Sequence, residues 1–139
     1  MSGHSLLWSK AQNNPSWLLA LTGTEFSEAV FKHVEDTLQY FDGLGVKHWD
    51  VINEMVDQGS VSHTFYQDQS GDPDIRLKIH KRVKDLKPDT KFYVNDYGII
   101  LNRNGRFSLF QQLLRDLISA GAPVDAIGLQ CHIKGGWKF

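Results

Sequence analysis

At four places in this 139-residue chain, polar side chains able to do chemistry flank a short apolar run. His4 precedes Leu6-Leu7-Trp8. Trp49-Asp50-Val51-Ile52 stops on Asn53-Glu54, Phe92-Tyr93-Val94 on Asn95-Asp96-Tyr97, and Ile127-Gly128-Leu129 on Gln130-Cys131-His132. Apolar runs of this length read as buried strands, and polar residues at the C-terminal mouth of a parallel sheet read as a site rather than as scaffold. The set comprises a carboxylic acid, amides, imidazoles and aromatic faces. Amides and imidazoles hydrogen-bond hydroxyl groups, aromatic faces stack on pyranose rings, and a carboxylic acid can protonate a glycosidic oxygen. Glu54 taken alone reads as the start of a solvated loop, because such residues are mostly exposed. Three further polar strand ends make it a candidate proton donor.

These groups share one rim only if their strands run parallel, and the intervening pattern supplies the crossovers. A strand over Ser5–Trp8 leads into a polar Ser9–Asn14 loop, Pro15 and Trp17, which reads as packing. Phe26, Val30, Val34, Leu38 and Phe41 recur at helical spacing, predicting a helix from Thr24, as N-cap, to Phe41, ended by Gly43 and Gly45. The strand Lys47–Glu54 follows. Residues 57–73 are polar and read as a long loop of binding or lid type. Asp74 caps a helix carrying Ile75, Ile79, Val83 and Leu86, stopped by Pro88. A strand over Lys91–Val94 follows, then an Asn102–Gly105 loop. The next helix carries Phe107, Phe110, Leu114, Leu117 and Ile118 on one face and ends at Gly121, and Val124–Leu129 is the last strand. The fold class is α/β: about four parallel strands with three intervening helices. A doubly wound sheet or a partial (β/α)8 TIM barrel would satisfy this order. The first is disfavoured because no G-x-G-x-x-G or Walker loop follows any strand.

Composition narrows the partners. Fifteen Lys and Arg against 16 Asp and Glu, a net charge of −1, give no reason to expect nucleic acid or an anionic membrane surface, and no apolar run is long enough to span a membrane. His63, Asp68, Asp72 and Asp74 match no zinc or calcium spacing, so they read as a solvated loop, and no metal or cofactor is expected. The single Cys131 excludes an internal disulfide framework and reads as a buried, inert thiol. The start lacks the basic and apolar regions of a signal peptide. The chain enters an apolar run almost at once and finishes at Lys134-Gly135-Gly136-Trp137-Lys138-Phe139 with no closing helix. Residues 1–139 are therefore expected to be an incomplete catalytic domain.

Gly3-His4-Ser5-Leu6-Leu7-Trp8, Trp49-Asp50-Val51-Ile52-Asn53-Glu54, Tyr93-Val94-Asn95-Asp96-Tyr97 and Ile127-Gly128-Leu129-Gln130-Cys131-His132 stand in the order and at the spacing of a known family. The chain resembles the β-1,4-xylanases of glycoside hydrolase family 10 over nearly its whole length. The resemblance implies a (β/α)8 barrel of which the third to sixth strands are present, and a xylan-like polysaccharide substrate. It implies that Glu54 is the general acid/base and that Asn53 binds the hydroxyl next to the reacting carbon. His4 and Trp8 would lie on the glycone side, Asn95 and Tyr97 toward the leaving group, and Gln130 and His132 around the reacting sugar. His132 would orient a nucleophilic Glu that follows the family's seventh strand and is absent here. Asp96 would belong to a structural strand-end motif, and the parent enzyme would be secreted. Two departures stand out: Ser9 replaces a common His, and the loop to Pro15-Ser16-Trp17 is about two residues longer, which puts substrate contacts there in question. The isolated chain is expected to be marginally stable and inactive. A carbohydrate-binding pseudoenzyme is the competing reading. An aldolase-like barrel is a third, weakened because Lys47 opens its strand at the wrong rim.

Overall fold

A computed structural model describes residues 1–57 and 62–132; part of the expected 57–73 loop and the reading of Lys134–Phe139 lie outside the described residues. Its centre is β3 (His48–Asn53), whose Trp49, Val51, Ile52 and Asn53 are buried. Two short strands, β1 (Ser2–Gly3) and β2 (Leu7–Trp8), lie parallel along one side of it, Gly3 opposite Trp49 and Trp8 opposite Asn53. The expected strand over Ser5–Trp8 is thus shortened to Leu7–Trp8, and Ser2–Gly3 is a strand outside the expected range. Between them the ladder is interrupted, and the Leu6 N–H donates to the Asp50 carbonyl at 2.9 Å. On the other side of β3 lie β4 (Lys91–Tyr97) and then β5 (Ala126–Gln130), all parallel.

The strand order never reverses. A doubly wound sheet turns back on itself at its ligand crevice, whereas here each crossover adds the next strand to the same edge. Right-handed connections then collect the helices on one face, which is the arrangement of a partial (β/α)8 barrel.

Three of the helices follow from apolar spacing. In α2 (Gly23–Asp42), Phe26, Val30, Val34 and Leu38 are buried at intervals of four. The expected cap Thr24 lies inside this helix; the extended cap residue is Thr22, two residues earlier, and it is followed by Gly23 at φ +59°, a backbone that glycine adopts without strain. In α4 (Ile75–Leu86), Ile75, Ile79, His80 and Val83 are buried. In α5 (Arg106–Ser119), the inward face is Arg106, Phe110, Leu113 and Leu117, while Phe107 and Ile118 are exposed, correcting the expected stripe. The cause is Arg106. Its Nη2 reaches Oδ1 of buried Asp96 at 2.6 Å, and a helix anchored by that contact turns the residues four, seven and eleven further on toward the sheet.

Two corrections concern the least apolar parts. The expected 57–73 loop contains α3 (Phe65–Ser70), preceded in the chain by the one-turn α1 (Ser16–Leu19). Tyr66 of α3 is buried, and its neighbour Phe65 meets Phe26 of α2 edge-on at 5.6 Å. One aromatic pair in a polar stretch suffices for docking, but too little for a periodic signal. Trp17 is 58% exposed rather than packed, because α1 turns Leu18 inward instead.

Candidate active site

The site begins with an irregularity in β3. On β4, Tyr93 and Asn95 are two residues apart and share a face; opposite them stand Asp50 and Asn53, three apart. The extra residue is a bulge, and it turns Asn53 to the face that carries Asn95. Asn95 Nδ2 donates to Asn53 Oδ1 at 2.8 Å, Gln130 Nε2 donates to the same oxygen at 3.2 Å, and His132 Nε2 donates to Gln130 Oε1 at 2.9 Å. The buried Asn53 Nδ2 has no partner among the described residues. Gly128 makes the network possible: a Cβ there would lie 2.5 Å from Asn95 Oδ1 and 2.8 Å from Asn95 Cβ.

Glu54 follows the bulge with φ +56°, a left-handed backbone unusual for a residue with a side chain. It is held on both sides: its N–H donates to the Asn95 carbonyl at 3.0 Å, and its carbonyl accepts the Ser9 hydroxyl. The Ser9 departure is therefore a brace for the backbone of Glu54. The Glu54 carboxylate is buried and accepts Lys10 Nζ at 2.7 Å. Burial pushes its pKa up, but the hydrogen bond and charge of Lys10, helped by the Gln130 and Trp8 side chains, override burial and leave it below the usual carboxylate value.

Lys10 also stands 4.7 Å from the centre of the Tyr97 ring, and the Arg106 guanidinium stands 4.0 Å from it. Asp96, beside Tyr97 in sequence, is fully buried. It accepts from Arg106 Nη2, from the Tyr97 N–H at 2.8 Å and from the Val56 N–H at 2.8 Å. Burial pushes its pKa up, yet three donors converge on its oxygens, so a carboxylate bound into the structure is the form that fits. His4 donates from Nδ1 to Asp50 Oδ2 at 2.7 Å and meets Trp8 edge-on at 5.8 Å.

The structure thus brings Trp8, Asn53, Glu54, Asn95, Tyr97 and Gln130 into one contiguous rim. His4 is joined to it through Trp8 and His132 through Gln130. Lys10 was not singled out by the sequence; it is one Lys in a polar stretch, and only its position two residues past a strand end hinted at the rim. Cys131 is exposed rather than buried, with Sγ 3.4 Å from the Leu129 carbonyl, because β5 is the last described strand of the sheet. Among the acidic residues of the 57–73 stretch, Asp72 pairs with Lys78 and Asp68 accepts the Thr64 hydroxyl. A polar cleft of about 730 Å³, lined by Lys10, Gln12, His63, Thr64, Gln69 and Tyr97, opens beside Glu54. A more apolar cavity of about 300 Å³ lies at His4, Trp8, Trp17 and His33. The polar cleft reaches the carboxylate through Lys10, which lines it and bonds Glu54 Oε2.

The sequence profile described as "Glycosyl hydrolase family 10" matches residues 1–137. The chain is 35% identical over 133 residues to endo-1,4-beta-xylanase 1 of Arabidopsis thaliana, covering 94% of this chain and 13% of that protein. It is 33% identical over 137 residues to endo-1,4-beta-xylanase B of Thermotoga neapolitana, covering 94% and 37%. An intracellular xylanase from Thermoanaerobacterium saccharolyticum, solved with xylotriose, superposes with a TM-score of 0.81 at 23% identity, over 95% of this chain and 44% of that one. The chain therefore spans less than half the length of these relatives. With a match running along nearly every residue, the chain belongs to glycosyl hydrolase family 10.

Proposed function

We propose that this chain is the central part of an endo-acting, retaining β-1,4-xylanase and that Glu54 is its acid/base. The observation that carries the reading is the setting of Glu54: a buried carboxyl at the end of a parallel strand, on a left-handed backbone braced from both sides, beside an amide network with one unpartnered donor. A strained residue held by its surroundings is characteristic of functional positions. In this reading Glu54 protonates the leaving oxygen and later activates water, and Asn53 Nδ2 serves the hydroxyl beside the reacting carbon. His4 and Trp8 serve the glycone side, and Asn95 and Tyr97 the leaving-group side. The xylotriose complex of the structural relative supports a xylan-type substrate.

A retaining glycosidase needs a second carboxyl group about 5–5.5 Å from the first. Asp50 and Asp96 are engaged, by His4 and by Arg106 with two backbone N–H groups. On the family resemblance the nucleophile would lie in a segment outside these 139 residues, with His132 orienting it. The test is Glu54→Ala in the full-length protein. Hydrolysis of unactivated xylan should fall by about 10²–10⁴-fold, and activity within about tenfold of the parent would remove Glu54 from the role.

One observation favours the alternative of a carbohydrate-binding pseudoenzyme. Lys10 holds Glu54 ionised, whereas a general acid must carry a proton. Xylo-oligosaccharide binding by the full-length protein without turnover at any pH would decide for that reading.

A further inference from the structure

We propose that Lys10 is a positioning residue that clamps the Glu54 carboxylate at the mouth of the polar cleft and sets the pH above which Glu54 has no proton to give. The catalytic half of this proposal rests on the acid/base reading of Glu54; the clamp itself does not.

The ion pair is short and sheltered. Nζ and Oε2 are 2.7 Å apart, with side-chain exposures of 20% for Lys10 and 12% for Glu54. A pair this shielded is screened less by solvent than a surface one. Lys10 is also preorganised rather than carried on a loose loop. Asn14 Nδ2 donates to the carbonyls of both Lys10 (2.8 Å) and Trp8 (2.9 Å), and Asn14 Oδ1 accepts the hydroxyl of buried Tyr66 at 3.2 Å. The longer loop that departs from the family pattern is thus tied down by α3, and its tied section delivers the ammonium to Glu54.

Other charged or titratable groups face this pair from every side. From β4, Tyr97 meets Lys10 with its ring, and Asp96 is joined to Arg106 of α5. From the segment after β3, His63 stands 3.7 Å from Asp57, and burial lowers its pKa. From beyond β5, His132 is bonded to Gln130. Lys10 is the cation in direct contact with the Glu54 carboxylate among the described residues.

The sign follows from the opposing causes. Burial favours the neutral acid, and Lys10 favours the carboxylate and prevails. Without Lys10, burial is opposed by the Gln130 and Trp8 side chains alone, and Glu54 keeps its proton to higher pH. A retaining mechanism uses one residue as acid in its first half and as base in its second, so Lys10 burdens proton donation and keeps the carboxylate form that the second half uses.

The test uses the full-length protein with its glutamate side-chain carboxyls enriched in carbon-13, the Glu54 resonance being assigned by its loss in Glu54→Gln. Parent, Lys10→Met and Lys10→Arg are titrated by NMR across the acidic to neutral range. The expected result is a higher Glu54 midpoint in Lys10→Met and a parent-like midpoint in Lys10→Arg. The alkaline limb of kcat/KM on an aryl xylobioside should move up in the Met variant only. An unchanged midpoint in Lys10→Met overturns the clamp, and Lys10→Gln gives the same decision if the Met variant does not fold. Turnover is not needed for the titration. A Glu54→Gln protein with full activity would therefore strike down the acid/base reading and the pH-limit half of the proposal, while the midpoints still decide the clamp.

Discussion

Asn95 is admitted to the rim by the absence of a side chain across from it. Gly128→Ala would place a methyl group 2.5 Å from its amide oxygen and 2.8 Å from its Cβ, closer than atoms tolerate, so either the Asn95 side chain or the β5 backbone must move. Overpacking of this kind costs about 1–3 kcal/mol, and it removes the Asn95–Asn53 hydrogen bond that fixes the free Asn53 donor. The expected outcome is a lower denaturant midpoint together with weaker xylo-oligosaccharide binding by calorimetry. An alanine variant matching the parent in both measurements would show that the strand pair has slack. At this scale Asn53, Glu54, Asn95 and Gln130 were legible, because each closes an apolar run. Lys10 was not: what joins it to the candidate site is a 2.7 Å contact across 44 residues of sequence.

Among the elements, α4 carries a concealed pH dependence. His80 is fully buried on it, its Nδ1 donating to the Arg76 carbonyl at 2.8 Å, with Nε2 unpartnered among the described residues. Burial lowers its pKa from 6.5 to about 4. As pH falls, the unfolded chain takes up this proton first, so the stability is fully present above pH 6.5 and lost on the way down to about pH 4. At about 1.4 kcal/mol per pH unit, the loss is about 3 kcal/mol. His80→Leu keeps most of the volume and removes the titrating ring. Urea unfolding should then lose its decline over that window, and a variant declining as steeply as the parent would rule out His80 as the source. The neighbouring helices show why element prediction was uneven. Apolar spacing announced α2 and α4 almost to the residue, α3 offered too few apolar residues to show a period, and α5 was turned by an arginine that periodicity counts as polar.

For the whole molecule, the flanks of the sheet decide behaviour. Beyond β5 no further strand pairs among the described residues, and Ile127 and Leu129 are 49% and 41% exposed there; β1 and β2 flank the other side. Open parallel strands with apolar side chains invite pairing with other chains. The 139-residue chain prepared alone should therefore self-associate in sedimentation velocity and show no turnover of xylan. A monomer with substantial xylanase activity would contradict the placement of the nucleophile outside these 139 residues.

By itself the sequence determined the alternation of strands and helices, the parallel sheet and the residues that close each strand. These follow from local periodicity and from where apolar runs stop, and both are written in consecutive residues. Only the tertiary structure decided which way those residues face. Strict alternation from Asp50 would turn Asn53 away from Asn95; the bulge in β3, visible only against β4, turns it back and leaves Glu54 on its left-handed backbone. The Lys10 clamp belongs to the same class, because it depends on a partner brought close by strands adjacent in space rather than along the chain, as does the bond from Arg106 Nη2 to the Val56 carbonyl.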